Sequence, residues 1–291
     1  MSVAAKTEVS VRRATPEDAA LCGQICYAAF SHISAQHNFP CDLPNAETAT
    51  GFMTMLFNAP GFYAVVAELD GRIVGSNVLE ERSIISGVGP ITVDPTAQNA
   101  GIGRRLMHEV LERARQRQAA GVRLVQAAFH NRSLSLYASL GFDVREPLSC
   151  IQGTPRTRAV PGCQVRPATG ADLDACNALS HRVHGFDRGA DLSHAIDRGA
   201  ALVVERAGRI TGYSSHLGFF GHTTCESNQD LQAQLASAGP YAGPGVLLPA
   251  RNTEMLRWCL ANGLRVTQPM TLMSIGLYNE PRGAWLPSIS F

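Results

Sequence analysis

The sequence lacks an excess of charge of either sign. It has 25 basic and 24 acidic residues among 291, and its formal net charge at pH 7 is +1. Binding to nucleic acid or to an anionic membrane through bulk electrostatics needs many uncompensated cationic side chains. We therefore expect small-molecule partners, with no nucleic acid and no membrane among them.

Long apolar runs and paired cysteines are missing as well. The uncharged stretch 231–250 is broken by prolines and glycines, and the first ten residues contain no apolar core of a secretory signal. The eight cysteines include no C-x-x-C pair, and His181 and His184 have no further ligand at motif spacing. We expect a cytoplasmic protein with reduced thiols and no metal site.

What the sequence does contain is an internal repeat. The segment VRRATPED at 11–18 returns as VRPATGAD at 165–172, a shift of 154 residues. The G-R-I-x-G core at 71–75 returns at 208–212, a shift of 137. L-G-F at 140–142 is matched by N-G-L 122 residues later. Three matches in the same order predict two copies of one fold, the second with shorter connections.

The copies are separated by a segment rich in turn formers, GTPRTRAVPG at 153–162, which we interpret as a linker. The predicted domains are therefore 1–152 and 163–291. Hydrophobic periodicity in the first copy predicts a mixed α/β sheet fold. Its elements after the first strand and helix are expected as a helix at 46–58, a hairpin at 62–81, a strand at 87–93, a helix at 102–119, a strand at 122–129, a helix at 133–140 and a strand at 143–151.

A glycine-containing loop precedes the helix predicted at 102–119. Gly101 and Gly103 would let backbone N–H groups come close to an anion at the positive end of the helix dipole. Arg104 and Arg105 add two cationic side chains at the same place. These features predict a pyrophosphate site, although a glycine-rich turn needed only for packing has the same local pattern.

Two motifs in combination carry a family resemblance. V-x-P-x-x-Q-x-x-G-I-G at 93–103 is followed by S-L-Y-A-S-L-G-F at 135–142. Together they resemble the GCN5-related N-acetyltransferase (GNAT) superfamily, with the motif match covering 91–142 and the layout 11–151. The resemblance implies two GNAT-like domains, each a mixed, mostly antiparallel sheet flanked by helices. It also implies acetyl-CoA as acyl donor and direct transfer to an amine in a ternary complex.

The resemblance implies roles for particular residues. The backbone of Ile91, Thr92 and Val93 would pair with the pantetheine arm of CoA. Tyr137 would protonate or hydrogen-bond the leaving thiolate, unless it is simply a half-buried aromatic residue. His130 stands where the family commonly has Asn, with Asn131 one residue later, and we assign both to the CoA site by position. The pyrophosphate loop would consist of Gln98, Asn99, Ala100, Gly101, Ile102, Gly103 and Arg104.

The general base is not specified by the motifs, because Gly89 occupies the place where some members carry an acidic residue. An amine acceptor is mostly protonated near neutral pH, so some group must accept its proton. Glu80 and Glu81 are the candidates, and at most one of them faces the site because adjacent strand residues point to opposite faces. The alternative is a solvated hairpin end paired with Arg82.

The second copy has lost the loop pattern. A shift of 122 residues places Gly101 on Thr223, Gly103 on Cys225 and Tyr137 on Cys259, so we predict that the second copy does not bind CoA.

The acceptor pocket is expected at the junction of the copies, lined by His216, Tyr278 and Trp285. The apolar tail 284–291 is predicted to close part of that pocket or to act as a surrogate strand for the first copy. Completion of the second copy's own sheet is the alternative.

The leading functional hypothesis is acetylation of a primary amine of a small metabolite. Two alternatives remain open on the sequence: a catalytically weak acyl-CoA-binding sensor or assembly module, and a protein or peptide N-acetyltransferase. The oligomeric state, monomer or homodimer, also stays open.

Overall fold

A computed structural model describes residues 9–290, which divide into two compact units. The first unit contains 9–81 and 86–122, and the second contains 82–85 and 123–290. Within the described residues, no helix is both long and apolar enough to cross a bilayer.

The helices and strands follow in chain order. They are β1 (Val9–Arg13), α1 (Ala19–Gln36), α2 (Ala46–Asn58), β2 (Phe62–Leu69), β3 (Arg72–Glu80), β4 (Ile85–Val88), β5 (Thr92–Val93), α3 (Ile102–Gln116), β6 (Gly121–Ala127), α4 (Asn131–Ser139), β7 (Asp143–Gln152), β8 (Cys163–Pro167), α5 (Leu173–His184), α6 (Gly189–Asp197), β9 (Leu202–Arg206), β10 (Arg209–Ser214), β11 (Thr223–Cys225), α7 (Asn228–Ala236), β12 (Val246–Pro249), α8 (Thr253–Ala261), β13 (Arg265–Gly276) and β14 (Ala284–Leu286).

The first unit is built on an antiparallel sheet in the order β1-β2-β3-β4, with β5 also pairing with β3. Its core forms where α1 and α2 cover the sheet, and Cys22, Cys26, Met53, Val66 and Val78 are fully buried there. The strand predicted at 87–93 is divided into β4 and β5. The break falls at Gly89, whose φ of +139° is a conformation that residues with a side chain rarely adopt.

The second unit contains a five-stranded antiparallel sheet in the order β14-β11-β10-β9-β8. The C-terminal tail supplies its edge strand, with Trp285 opposite Thr224 and Leu286 opposite Thr223. Of the two positions predicted for the tail, the structure therefore has the one that completes the sheet of the second copy. Phe291 lies outside the described residues.

A second set of strands in this unit combines both copies of the repeat. The last strand of the first copy, β7, pairs antiparallel with β13 along most of its length and with β12 on its other side, while β6 neighbours β13. The shift of 122 residues relates Asp143 to Arg265 and Gln152 to Ser274. Because the strands are antiparallel, the pairing is crossed: Asp143 lies opposite Ser274, and Gln152 lies opposite Arg265. The strands beside β7 are thus β13 and β12, and the tail strand β14 pairs with β11 instead.

This strand exchange makes the compact units different from the sequence copies. Because β7 of the first copy is hydrogen-bonded to strands of the second, it belongs to the second unit together with residues 153–162, which form no helix or strand.

The repeat is visible in side-chain contacts as well. Arg12 donates two hydrogen bonds to Asp18 and one to Glu68 in the first copy. In the second copy Arg166 donates two hydrogen bonds to Asp172 and two to Glu205. Each aspartate also accepts a hydrogen bond from the backbone of the threonine three residues earlier, a capping box at the start of the first helix of its copy. The sequence prediction of two related folds is confirmed.

Candidate acetyl-CoA site

The predicted pyrophosphate loop lies at the N-terminus of α3. Gly101 is the N-cap residue, with φ +75° and ψ 5°, and Asn99 also has a positive φ, of 69°. The helix is fixed to the first unit by its buried residues, which include Ile102, Leu106 and Val110. The first N–H groups of any helix have no partner inside the helix and carry the positive end of its dipole. The start of α3 therefore lies in an exposed turn, while the buried face of the helix holds it on the first unit.

The loop is open to an incoming anion. Asn99, Ala100, Gly101 and Arg104 are all exposed, and a Cβ atom built on Gly101 has nothing within 4 Å. Gly101 is needed for its left-handed conformation and for the bare backbone it presents, not for packing inside the protein. This favours the anion-binding interpretation of the loop over the packing interpretation.

Next to the loop, the short strand β5 offers a free edge. Thr92 and Val93 pair with Ser76 and Gly75 of β3, and a Cβ atom on Gly75 would come within 2.6 Å of the Thr92 carbonyl oxygen. No other strand among residues 9–290 pairs with β5. Gln98 Nε2 donates to the Val93 carbonyl at 3.3 Å, which ties the loop to this strand. Ile91, partly buried, precedes the pair. An extended arm of a ligand can add to such an edge through backbone hydrogen bonds.

The two glutamates at the end of β3 differ in their surroundings. Glu81 Oε1 accepts from Arg113 Nε at 2.7 Å and its Oε2 from Arg113 Nη2 at 3.2 Å, and Arg117 lies 3.5 Å from the same carboxylate. Its side chain is only 8% exposed. Glu80 is partly buried in the strand, opposite Phe62 and Gly87. Because arginines bind both carboxylate oxygens of Glu81, this side chain has the environment of a structural residue.

Tyr137 belongs to the second unit, on α4. It is 6% exposed and packs edge-to-face against Phe142 with a ring-centroid distance of 6.0 Å. Burial raises the pKa of its hydroxyl, so the group is protonated near neutral pH and can act as a hydrogen-bond or proton donor.

His130 and Asn131 lie at the start of α4. His130 is the N-cap, and its Nδ1 accepts from the Ser133 N–H at 3.4 Å. The residue 122 positions later, Asn252, caps α8 in the same way through the Met255 N–H. Helix capping therefore accounts for the polar residue at this position in both copies. Asn131 is exposed as the first residue of the helix.

The three residues predicted to line an acceptor pocket are found in the second unit. Trp285 lines a cavity of that unit, and the Tyr278 ring lies 5.1 Å from the guanidinium carbons of Arg123 and Arg145. His216 is exposed, and the histidines that line the cavity are His184 and His222. Among residues 9–290, no group of three or more His, Cys, Asp or Glu side chains is positioned to hold a metal ion.

Residues 60–144 match the family model of the acetyltransferase (GNAT) domain. The match includes β5, the loop at 98–104 and Tyr137. No curated relative matches the sequence.

Solved structures match the chain over nearly its whole length. A protein from Pyrococcus horikoshii that is assigned as an acetyltransferase has a TM-score of 0.70 at 18% identity, covering 97% of this chain and 96% of that one. A GCN5-related N-acetyltransferase from Sphaerobacter thermophilus has a TM-score of 0.62 at 16% identity, covering 97% and 98%. A tandem GNAT protein from the clavulanic acid biosynthesis pathway has a TM-score of 0.55 at 14% identity, covering 92% and 98%.

The matches to solved structures show the fold of the chain, which is that of proteins with two GNAT-like copies. The family model shows that residues 60–144 have the sequence pattern of a GNAT acetyltransferase domain.

Proposed function

We propose that the protein acetylates a primary amine of a small metabolite and that the first copy alone binds the acetyl-CoA. The observation that carries the proposal is the exposed loop at the N-terminus of α3, with Gly101 in the left-handed region beside the free edge of β5. The first-turn N–H groups of α3 would hold the pyrophosphate, with Gln98, Asn99, Ala100 and Arg104 around it. The backbone of Ile91, Thr92 and Val93 would pair with the pantetheine arm.

The chemical step is an attack of the neutral amine on the thioester carbonyl. The new C–N bond forms as the C–S bond breaks, and CoA leaves as a thiolate that needs a proton. We assign the donor role to Tyr137 by its place in the sequence motif, and its raised pKa supports a protonated hydroxyl. No covalent intermediate on the enzyme is required, because amine and thioester react directly in a ternary complex.

The proton on the incoming ammonium must go to a base, directly or through water. We propose Glu80 for this role, because adjacent strand residues point to opposite faces and the Glu81 side chain is directed to Arg113 on α3. Glu80→Gln should lower kcat/KM most strongly on the acidic side of the pH profile, where the fraction of neutral amine is smallest. Glu81→Gln is the matched variant, and we expect it to affect thermal stability more than the shape of the profile. The opposite result would assign the base to Glu81.

A thiol-release assay with acetyl-CoA across a panel of amines tests the proposal. The panel should contain small primary amines, amino sugars and peptides with free N-termini. Turnover of one or more small amines, with peptides inactive, supports a metabolite acceptor. Turnover only of peptides would establish a protein or peptide acetyltransferase, and CoA binding by calorimetry without turnover of any amine would indicate a sensor.

A further inference from the structure

One buried asparagine side chain of the first unit joins the break between β4 and β5 to helix α3. Asn77 lies on β3, and 0% of its surface is exposed. A polar side chain in such a place is costly unless its hydrogen-bonding groups are satisfied. The hydrogen bonds of Asn77 therefore show which parts of the unit it connects.

The acceptor end of the amide satisfies the backbone of β3 at the break. Ser76 pairs with Thr92 of β5, and the Val78 carbonyl accepts from the Gly89 N–H at 2.9 Å. The N–H and C=O of one strand residue point to the same side, so the Val78 N–H is also directed to the side of β4 and β5. Residues 89–91 belong to neither of these two strands. The acceptor of the Val78 N–H is Oδ1 of Asn77, at 2.9 Å.

The donor end of the same amide is directed to the helix that covers this face of the sheet. Nδ2 donates to the Leu106 carbonyl at 3.3 Å and to Met107 Sδ at 3.5 Å, and both residues are buried on α3. Gly75 lies on the same face of β3, and a Cβ atom there would be 3.3 Å from Leu106 Cδ1. The helix and the strand are thus in close contact around Asn77. Because a backbone N–H only donates and a carbonyl only accepts, these contacts allow one orientation of the amide.

The two places joined by Asn77 are both parts of the proposed acetyl-CoA site. The free edge of β5 begins beyond the break, and the loop at 98–104 leads into α3, whose fifth residue is Leu106. A ligand that contacts both the edge and the loop binds best when their spacing is fixed before it arrives.

We propose that Asn77 is a positioning residue for acetyl-CoA, whose amide keeps the free edge of β5 and the N-terminus of α3 at the spacing that the ligand requires. Asn77 acts through the backbone of Val78 and Leu106, and we assign it no contact with the ligand. This inference rests on the proposed function, because it uses the CoA site around Gly101.

Calorimetric titration with CoA measures this role in the full chain. Asn77→Leu replaces the amide by an apolar side chain of similar size and removes its hydrogen bonds, and we expect the dissociation constant of CoA to rise by about tenfold or more. Met53→Ala is the matched control, because Met53 is fully buried in the core between α1, α2 and the sheet of the same unit. It should lower thermal stability and leave the dissociation constant unchanged.

Asn77→Asp separates positioning from packing. A protonated carboxyl keeps an acceptor for the Val78 N–H and a donor for the Leu106 carbonyl, whereas an ionised one has no donor. Burial raises the pKa of such a carboxyl, so its protonated form increases as the pH is lowered. We expect the ratio of the variant's dissociation constant to that of the native protein to fall towards one between about pH 8 and about pH 5.5. The ratio for Asn77→Leu should stay constant over the same range.

An unchanged dissociation constant in Asn77→Leu would overturn the role of Asn77, and so would an equal loss of affinity in Met53→Ala. If circular dichroism shows that Asn77→Leu does not fold, the pH series of Asn77→Asp decides alone, and a ratio that is independent of pH would overturn the role.

Gly101→Glu distinguishes failure of this inference from failure of the proposed site. CoA binding that Gly101→Glu abolishes and Asn77→Leu leaves intact would overturn the role of Asn77 only. CoA binding that survives Gly101→Glu, or no CoA binding by the native chain, would overturn the proposed site and the role of Asn77 with it.

Discussion

The helices α3 and α7 occupy equivalent positions in the chain order of the two copies, but their N-termini are capped differently. At α3 the cap is Gly101, left-handed and exposed, with no acidic residue in the first turn. At α7 the cap is Ser227, whose hydroxyl accepts from the Asp230 N–H. Asp230 itself is fully buried and accepts from Arg206, Thr211 and Ser227.

The N-terminus of α7 therefore has a carboxylate of the protein, Asp230, at the position where the N-terminus of α3 is open to a bound anion. A carboxylate in the first turn satisfies the helix dipole and repels a phosphate. The prediction that the second copy does not bind CoA rested on Thr223 and Cys225, but the structure places both in strand β11. The start of α7 follows that of α3 by 126 residues, four more than the shift read from the sequence. Ser227 and Asp230 are thus the residues that we expect to keep CoA from the second copy.

The largest expected effect is on CoA affinity, when a negative charge is added at the exposed N-terminus of α3. Gly101→Glu adds a like charge to the proposed pyrophosphate site and a side chain at a left-handed position. We expect CoA affinity to fall by at least about 100-fold in calorimetry.

Gly208→Glu is the matched control. Gly208 also has a positive φ, of 72°, with nothing within 4 Å of a Cβ, and it lies in the turn between β9 and β10 of the second copy. This variant should bind CoA normally. Equal loss of affinity in both variants would mean that backbone strain, not charge at the site, caused the effect.

Next in size is the effect on chemistry of removing the proposed proton donor. Tyr137→Phe keeps the edge-to-face ring contact with Phe142, so folding should be nearly unchanged. We expect kcat to fall by about 10², the scale of general acid catalysis, with KM for acetyl-CoA little altered. An unchanged kcat, in an enzyme whose single-turnover rate shows that chemistry limits turnover, would leave Tyr137 with a packing role only.

A smaller effect, on the free energy of unfolding, tests the buried carboxylate at the N-terminus of α7. Asp230→Asn removes the charge that pairs with Arg206 in the first turn of α7, and we expect the free energy of unfolding to fall by about 2–4 kcal/mol. Glu226→Gln is the control, because that carboxylate pairs with the exposed side chains of Arg182 and Arg209 and should contribute less than about 1 kcal/mol. Denaturant melts measure both. Similar losses would show that the buried network adds nothing beyond a surface pair.

The smallest expected effect is a pH dependence from the second unit. The pKa of His222 is lowered to about 4 in the folded chain, against about 6.5 in an unfolded one. Between these values the unfolded chain binds a proton that the folded chain does not, so stability should fall as the pH is lowered from 6.5 towards 4. His222→Gln should flatten this part of the stability curve. The exposed His32 in the first unit serves as control, and a His32→Gln curve as flat as that of His222→Gln would contradict the assignment.

Much of the fold could be predicted because the signals are local. The helix at 46–58 begins and ends where periodicity placed it, with Asn45 as its cap, and the hairpin of β2 and β3 lies within the predicted 62–81. The exchange of β7 and β13 could not be predicted. Strand pairing across more than 100 residues depends on which faces become buried together, and this leaves no local pattern.

The functional residues also divide into those with a local sequence signal and those without one. The loop around Gly101 was accessible to sequence reasoning because its glycines and the following helix are contiguous. Ser227 and Asp230, which close the N-terminus of α7, were missed. A buried aspartate has the same letter in the sequence as an exposed one, so the burial of Asp230 against Arg206 could not be predicted.

We expect one acetyl-CoA site per chain, in the first copy. Calorimetric titration of the native protein with CoA measures the stoichiometry without any substitution. We predict one site per chain, lost in Gly101→Glu and retained in Asp230→Asn. Two equivalent sites per chain, or one site that survives Gly101→Glu, would contradict it.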